Sequence, residues 1–147
     1  PLDSVQRSYR LLGSAAPLDL AIRLRMPHGH PPAGDPPEIA ALADAVLRGG
    51  RPLVDIVSAE RDGDVLRVRF DAHGRKAVRA ELLSTCSSDP LLMNRKWVAE
   101  RVPDFDAAGR FSARIPSGAV MYFANVVTDD GLVASTRIFP EDGNRGP

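Results

Sequence analysis

The sequence has few of the residues and patterns that mark several large classes of protein. Cys86 is the only cysteine among the 147 residues, so an internal disulfide and a zinc site built on several thiolates are both excluded. A membrane-spanning helix needs about twenty consecutive apolar residues, and no run of that length is present. The first residues carry no basic stretch followed by an apolar run, as a signal peptide would. The sequence therefore indicates neither a membrane anchor nor a compartment.

An excess of charge of one sign is also lacking. Nineteen Lys and Arg residues balance nineteen Asp and Glu residues, so no net field recruits nucleic acid or an anionic membrane, and neither is expected as a partner. The 44% of hydrophobic and 26% of charged residues are typical of one ordinary globular domain or two small ones. Because the chain opens on Pro1 without a start methionine, we expect it to continue a longer or processed polypeptide.

The first fifty residues have the pattern of an α/β unit. Apolar positions on one helical face predict a short amphipathic helix over residues 4–13. Alternating apolar residues then predict a strand buried on one face, and they are Leu18, Leu20, Ile22 and Leu24. Five prolines between residues 27 and 37 interrupt regular structure. A second helix follows, with Asp35 as its cap, Gly49 and Gly50 at its end, and a predicted buried face of Ile39, Leu42, Val46 and Leu47.

From Arg51 onward the pattern is that of an all-β domain. Seven strand-like runs are separated by turn residues, and they cover 52–59, 65–70, 77–84, 96–102, 110–115, 119–127 and 132–139. The Asp62-Gly63 pair between the first two runs favours a hairpin. Residues 79–83 also suit a helix by propensity. Seven short strands at this spacing predict an antiparallel sandwich, in which Phe70, Phe111, Phe139 and Trp97 are core candidates. Of Tyr122 and Phe123, one is expected in the core and the other at a surface or an interface.

His30 is the candidate catalytic residue. It lies in a loop bounded by glycine and proline that follows the predicted strand, where an imidazole is exposed to substrate and titrates near neutral pH, as a general base must. Gly29 beside it permits close backbone approach, which favours His30 over His28. One alternative is that His30 is a surface histidine without a functional role. Another is a metal site formed by His28 and His30 with Asp35 or His73. No third ligand has a spacing that places it nearby, so we predict no metal and no cofactor.

A nucleophile for this base is missing from the sequence. Serine hydrolases of the α/β type carry the serine in a Gly-x-Ser-x-Gly turn, which does not occur here. Cys86 is more simply a small core or loop residue, and Asp3, which precedes the histidine as the acid of a triad would, is more simply a helix cap. We therefore do not expect this chain alone to be active as a hydrolase.

The order of these motifs resembles a known family. Tyr9-Arg10-Leu11-Leu12-Gly13, an alternating strand, His28-Gly29-His30 and a helix ending Leu47-Arg48-Gly49-Gly50 are similar to the C-terminal end of a bacterial α/β-hydrolase. The closest types are acetyl-xylan-esterase-like and PhoPQ-activated pathogenicity-related proteins. The later strands, among them Phe111 to Pro116 and Tyr122 to Val127, resemble an immunoglobulin-like module appended to some of these enzymes. The resemblance implies that His30 relays the proton between a serine hydroxyl and the leaving group.

The sequence thus predicts a mixed fold, with an α-β-α remnant of an α/β-hydrolase sheet over residues 1–50 and an immunoglobulin-like β-sandwich over 51–147. The predicted function is that of a C-terminal fragment or subunit of a serine hydrolase. It would supply the catalytic histidine for an ester or peptide substrate, and its partner would be the missing N-terminal hydrolase segment or another chain. The alternative is a non-catalytic β-sandwich module that binds protein or carbohydrate, which an exposed Trp97 beside Tyr122 would favour.

Overall fold

A computed structural model describes residues 19–26, 35–89, 91 and 94–140. Within these ranges one helix precedes eight strands. The helix is α1 (Pro37–Arg48), and the strands are β1 (Asp55–Asp62), β2 (Val65–Asp71), β3 (Ala77–Thr85), β4 (Val98–Arg101), β5 (Arg110–Arg114), β6 (Met121–Thr128), β7 (Val133–Ser135) and β8 (Phe139–Pro140).

The strands form two antiparallel sheets. The first has the order β1-β2-β5, and the second has the order β4-β3-β6-β7, with β8 also paired to β6. Apolar side chains of β2 and β6 belong to one buried cluster between the sheets, and they include Leu66, Val68, Phe70, Tyr122, Ala124 and Val126. Arg67 and Arg69, at the intervening positions of β2, are exposed. This alternation places the main core between the two sheets, a packing compatible with the predicted β-sandwich.

A second buried cluster contains the neighbours of those residues on the same strands. Leu83 of β3 and Phe123 of β6 are 3% and 0% exposed and pack with Ile138. Because successive side chains of a strand point to opposite faces, this cluster lies on the outer face of the second sheet. Trp97 joins it, with its ring edge-on to Phe123 at 5.4 Å between centroids. Trp97 is therefore a partly buried residue of the outer cluster, and its predicted place in the central core is wrong.

The predicted strand pattern from residue 51 is confirmed, because each of the seven runs contains a strand. The third run, with its helical propensity, forms β3, since β4 and β6 pair with it on both sides. The last run is split into β7 and β8 at Thr136, whose hydroxyl accepts the Ala124 N–H at 3.0 Å. Phe70, Phe111 and Phe139 are buried as predicted. Tyr122 and Phe123 do face opposite sides, but both are buried and neither lies at a surface.

The predicted α-β-α remnant of a hydrolase sheet is not what the structure shows: the described part is mostly β with one short helix. Residues 19–26 are not a strand. The Ser135 N–H donates to the Leu20 carbonyl at 2.7 Å, but the Ile22 N–H then donates to the Ser135 hydroxyl. Asn125 donates its side-chain amide to the Ile22 carbonyl. Because side chains replace the peptide partners of a ladder, no strand pairing develops. The predicted helix over 4–13 lies outside the described residues.

The second predicted helix is present as α1, but two details of the prediction are wrong. Pro36 occupies the cap position without a side-chain hydrogen bond, so Asp35 does not cap the helix. Gly49 ends the helix as expected, with a φ of 68° that a residue without Cβ adopts readily. The face of α1 predicted to be buried is instead exposed. The boundary between domains at residues 50 and 51 stays a prediction.

Candidate functional site

His28 and His30, the histidines of the predicted catalytic loop, lie in residues 27–34, outside the described residues. The residues that flank this segment are described, and an ion pair joins its two sides. Arg23 Nη2 contacts Glu38 Oε1 at 2.5 Å, and Arg23 Nε donates to the same oxygen at 3.2 Å. The candidate site is built around this pair.

Glu38 is held in place by more than one element. It is the second residue of α1, where a carboxylate is favoured by the positive end of the helix dipole. Its Oε1 also accepts the Val133 N–H of β7 at 2.8 Å, and Arg23 donates to the Gly131 carbonyl at 2.6 Å. Glu38 is only 8% exposed. The pair therefore anchors both α1 and residues 19–26 to the edge of the second sheet.

One side of α1 exposes a row of large apolar residues. Ile39, Leu42, Val46 and Leu47 are 58%, 41%, 71% and 79% exposed, and we call this set the α1 face. Met26, directly before residues 27–34, is 46% exposed. Monomeric proteins seldom leave contiguous apolar surface open unless it binds something. The sequence predicts that Ile39, Leu42, Val46 and Leu47 are buried, and the structure exposes them.

A cavity of about 230 Å³, which we call the α1 cavity, lies between α1, residues 19–26 and β7. Its apolar wall includes Leu20, Met26, Ile39, Leu42, Leu53 and Val133. Three charged residues also line it, Arg23, Glu38 and Asp19. Glu38 Oε2 is buried and has no hydrogen-bond partner among the residues that the structure describes. Burial and repulsion from Asp55 raise the pKa of Asp19 above its ordinary value, although His73 opposes the shift.

His73, the third histidine, is part of an ionic cluster at the ends of β1 and β2. Its Nε2 lies 2.8 Å from Asp55 Oδ2, and its backbone N–H donates to Asp71. The hydrogen bond to Asp55 raises the pKa of His73 above its ordinary value, against a smaller lowering by burial. His73 also has a φ of 47°, rare for a residue with a side chain. Because Nε2 is paired with the Asp55 carboxylate, the His73 ring links the end of β2 to the start of β1.

The other candidates for chemistry have local roles. The Ser135 hydroxyl donates to Asn125 Oδ1 inside the second sheet, and Cys86 is exposed. Among the residues that the structure describes, no hydroxyl or thiol is hydrogen-bonded to a histidine. Nor does any group of three or more His, Cys, Asp or Glu side chains in the same ranges suit a metal ion. The one helix of the described residues, α1, is not long and apolar enough to cross a membrane.

Arg75, in the connection between β2 and β3, has a structural role. Its side chain is 10% exposed, donates to the carbonyls of Arg51 and Pro52, and pairs with Asp130 at 2.9 Å. It thus ties the connection from α1 to β1 onto the second sheet.

Comparison of the sequence with models of known protein families gave no match, and comparison with curated proteins gave none.

Proposed function

We propose that this chain is the docking and histidine-bearing part of a serine hydrolase, and that the α1 face binds the protein domain that carries the serine. The observation that carries the proposal is the exposed apolar row on α1, directly after the segment that contains His30. The occupant is a protein surface of apolar side chains, because Ile39, Leu42, Val46 and Leu47 offer no hydrogen bonds and gain only by losing contact with water.

The Arg23–Glu38 pair supports the catalytic half of the proposal. It fixes the chain five residues before His28 and eight residues after His30, and β7 holds the pair through Val133. A general base on a segment that is anchored at both ends keeps its position and orientation when a partner docks beside it. In the assembled enzyme, His30 takes the proton of the partner's serine hydroxyl. The serine then forms an acyl intermediate with an ester or peptide substrate, and water releases the acyl group.

The remaining residues would act as a rigid support, and we propose that they form an immunoglobulin-like module. The strand connectivity favours this. The first, second and fifth strands share one sheet, while the third, sixth and seventh share the other, as in the A, B, E and C, F, G strands of such domains. The fourth strand lies at the edge beside the third, where variable-type domains add a strand.

The test uses the serine-bearing domain as a separate chain. A Gly-x-Ser-x-Gly pattern is sought in the reading frame upstream of Pro1, and that domain is mixed with this chain and assayed for hydrolysis of p-nitrophenyl acetate. We expect activity only in the mixture, and a loss of about a thousandfold or more with His30→Ala. Val46→Asp combined with Leu47→Asp should weaken docking, whereas Arg48→Ser, on the opposite side of α1, should not.

Other results would contradict the proposal. Full activity with His30→Ala would exclude His30 as the catalytic base. Unchanged docking of the Val46→Asp, Leu47→Asp variant would exclude the α1 face as the docking surface. Self-association of this chain that the same double variant abolishes would assign the face to a second copy. If residues 1–18 already cover the α1 face, neither the serine-bearing domain nor a second copy of this chain should bind there, and the proposed docking would be wrong.

The second candidate is a non-catalytic module that binds a protein, and the same α1 face favours it. Carbohydrate binding has less support, because Tyr122 is buried between the sheets and Trp97 packs on Phe123, so these two rings do not share an exposed face. Hydrolysis of p-nitrophenyl acetate by the mixture separates the hydrolase from the non-catalytic module. Docking without hydrolysis by the mixture would favour the non-catalytic module.

A further inference from the structure

The outer face of the first sheet carries a group of arginines on its adjacent strands β2 and β5. Outward and inward positions alternate along both strands. The outward positions include Arg67 and Arg69 on β2 and Arg110, Ser112 and Arg114 on β5, and all five residues are exposed. We call this set the arginine patch. The inward positions between them belong to the main core, so the backbone beneath the patch is held in place.

Two of these arginines, Arg69 and Arg110, lie directly opposite each other. The Phe70 N–H donates to the Gly109 carbonyl at 2.8 Å. Because hydrogen-bonded and non-hydrogen-bonded pairs alternate along an antiparallel ladder, the neighbouring pair of Arg69 and Arg110 is of the non-hydrogen-bonded type. The side chains of such a pair are close, with Cβ atoms about 5 Å apart, and like charges at that spacing repel each other.

Carboxylates leave the centre of the patch with uncompensated positive charge. Arg69 has no carboxylate partner among the described residues, because Ser58 lies opposite it on β1 and Arg110 on β5. Glu60, opposite Arg67, makes the β1 side acidic, so an anion is expected on the β5 side. The other three arginines form exposed ion pairs, which are weak; they are Arg67 with Asp62, Arg114 with Asp64 and Arg110 with Asp106, at 3.0, 3.2 and 3.4 Å.

We infer that the arginine patch binds a phosphomonoester dianion between Arg69 and Arg110, with the Ser112 hydroxyl beside them. Each guanidinium fork donates two parallel hydrogen bonds to an oxyanion. A phosphomonoester has about two negative charges and three acceptor oxygens, enough for two forks, whereas a carboxylate has oxygens for one. A nucleic-acid strand fits less well, because the outward positions of β2 and β5 hold no aromatic ring for a base to stack on. The source is either a small phosphate ester or a phosphorylated side chain of a protein.

The binding test uses the whole chain and methyl phosphate at constant ionic strength, followed by NMR of backbone amides. We expect saturable shifts at Arg69, Arg110 and Ser112, with a Kd of about a millimolar for so small a ligand. Acetate should bind at least about tenfold more weakly. Equal binding of acetate would overturn the inference. So would the absence of saturable shifts at these three residues, for instance if residues outside the described ranges cover the patch.

Variants locate the site. Arg69→Gln removes one fork and should weaken methyl phosphate binding by about tenfold. It should fold at least as stably as the native chain, because it also removes the repulsion from Arg110. Arg101→Gln is the matched control: Arg101 is an exposed arginine of edge strand β4 in the second sheet, and its loss should change the affinity by less than about twofold. Equal weakening by both variants would mean general attraction to surface arginines and would overturn the site.

A third variant separates hydrogen-bond geometry from charge. Arg69→Lys keeps the positive charge but has no planar fork, so it should recover only a part of the affinity that Arg69→Gln loses. Full recovery would mean that charge alone attracts the anion, and it would overturn the two-fork site.

A peptide identifies the source of the phosphate group. Tighter binding of acetyl-Gly-phosphoserine-Gly-amide than of methyl phosphate would assign the site to a phosphorylated protein, and equal affinity would assign it to a small ester. Equal binding of the same peptide without phosphate would overturn the inference. The inference does not rest on the proposed function, because none of these experiments uses the serine-bearing domain or the α1 face.

Discussion

At the scale of single residues, His73 shows how a side chain without catalytic surroundings can still respond to pH. Its ring pairs with Asp55, where β1 begins, and its backbone N–H bonds to Asp71, where β2 ends. The folded-state pKa of His73 is raised, chiefly by the bond to Asp55. The stabilisation is therefore fully present below the unfolded pKa of about 6.5 and is lost as pH rises through the folded value.

We predict that His73→Asn removes a part of the pH dependence of stability. Asn tolerates the positive φ of 47° at this position, so the backbone is preserved while the charge is lost. The free energy of unfolding should fall between pH 5.5 and pH 8.5 more in the native chain than in the variant. The difference should be at most about 1 kcal/mol, because the pair is exposed. Urea denaturation at both pH values measures it. Identical pH profiles would contradict the pairing, and Asp55→Asn should reproduce the effect.

Residues predicted correctly from the sequence are those whose environment follows from local alternation. Phe70 and Phe111 are buried because they occupy inward positions of strands whose neighbours are polar. Arg75 and Glu38 were missed because their partners are far along the chain: Arg75 pairs with Asp130 and Glu38 with the Val133 N–H. No short-range pattern encodes such contacts. The role of His30 stays a prediction, because residues 27–34 lie outside the described residues.

At the scale of elements, period-two alternation and turn residues were enough to locate the strands after residue 51. The same alternation was misleading over residues 19–26. It correctly reports that one side of the segment is half-buried, since Ile22 and Leu24 pack on the outer cluster. Alternation does not show whether the peptide groups of a segment pair with another strand. In this segment the Ser135 hydroxyl and the Asn125 side-chain amide bind the peptide groups of Ile22 in place of a neighbouring strand. For α1, the helical period identified the apolar side but not what covers it.

We predict that α1 opens locally far more often than the central strand. Only Glu38 of α1 is buried, whereas seven of the eight residues of β6 are buried, with β3 on one side and β7 and β8 on the other. Amides of α1 should exchange hydrogen through local opening, at least about a hundredfold faster than those of β6 relative to their intrinsic rates. Hydrogen exchange followed by mass spectrometry checks this. Equal protection would mean that another surface already covers the α1 face.

At the scale of the whole molecule, the second sheet is the structural centre because apolar clusters lie on both of its faces. β3 contributes Leu82 to the cluster between the sheets and Leu83 to the outer one. β6 does the same with Tyr122 and Phe123. The outer cluster also receives Ile22 and Leu24 from the segment before α1. Sequence patterns did not reveal this arrangement, because they assigned that segment to a separate sheet.

The two clusters should therefore melt together, and Trp97 offers a probe of the outer one. We predict that urea unfolding gives the same midpoint by Trp97 emission and by far-UV circular dichroism, which reports both sheets. Leu82→Ala and Leu83→Ala form a matched pair on the two faces of β3, and both residues are 3% exposed. Each should destabilise the chain by about 2–5 kcal/mol and lower both midpoints equally. If Leu83→Ala lowers only the emission midpoint, the outer cluster unfolds independently and the second sheet does not couple its two faces.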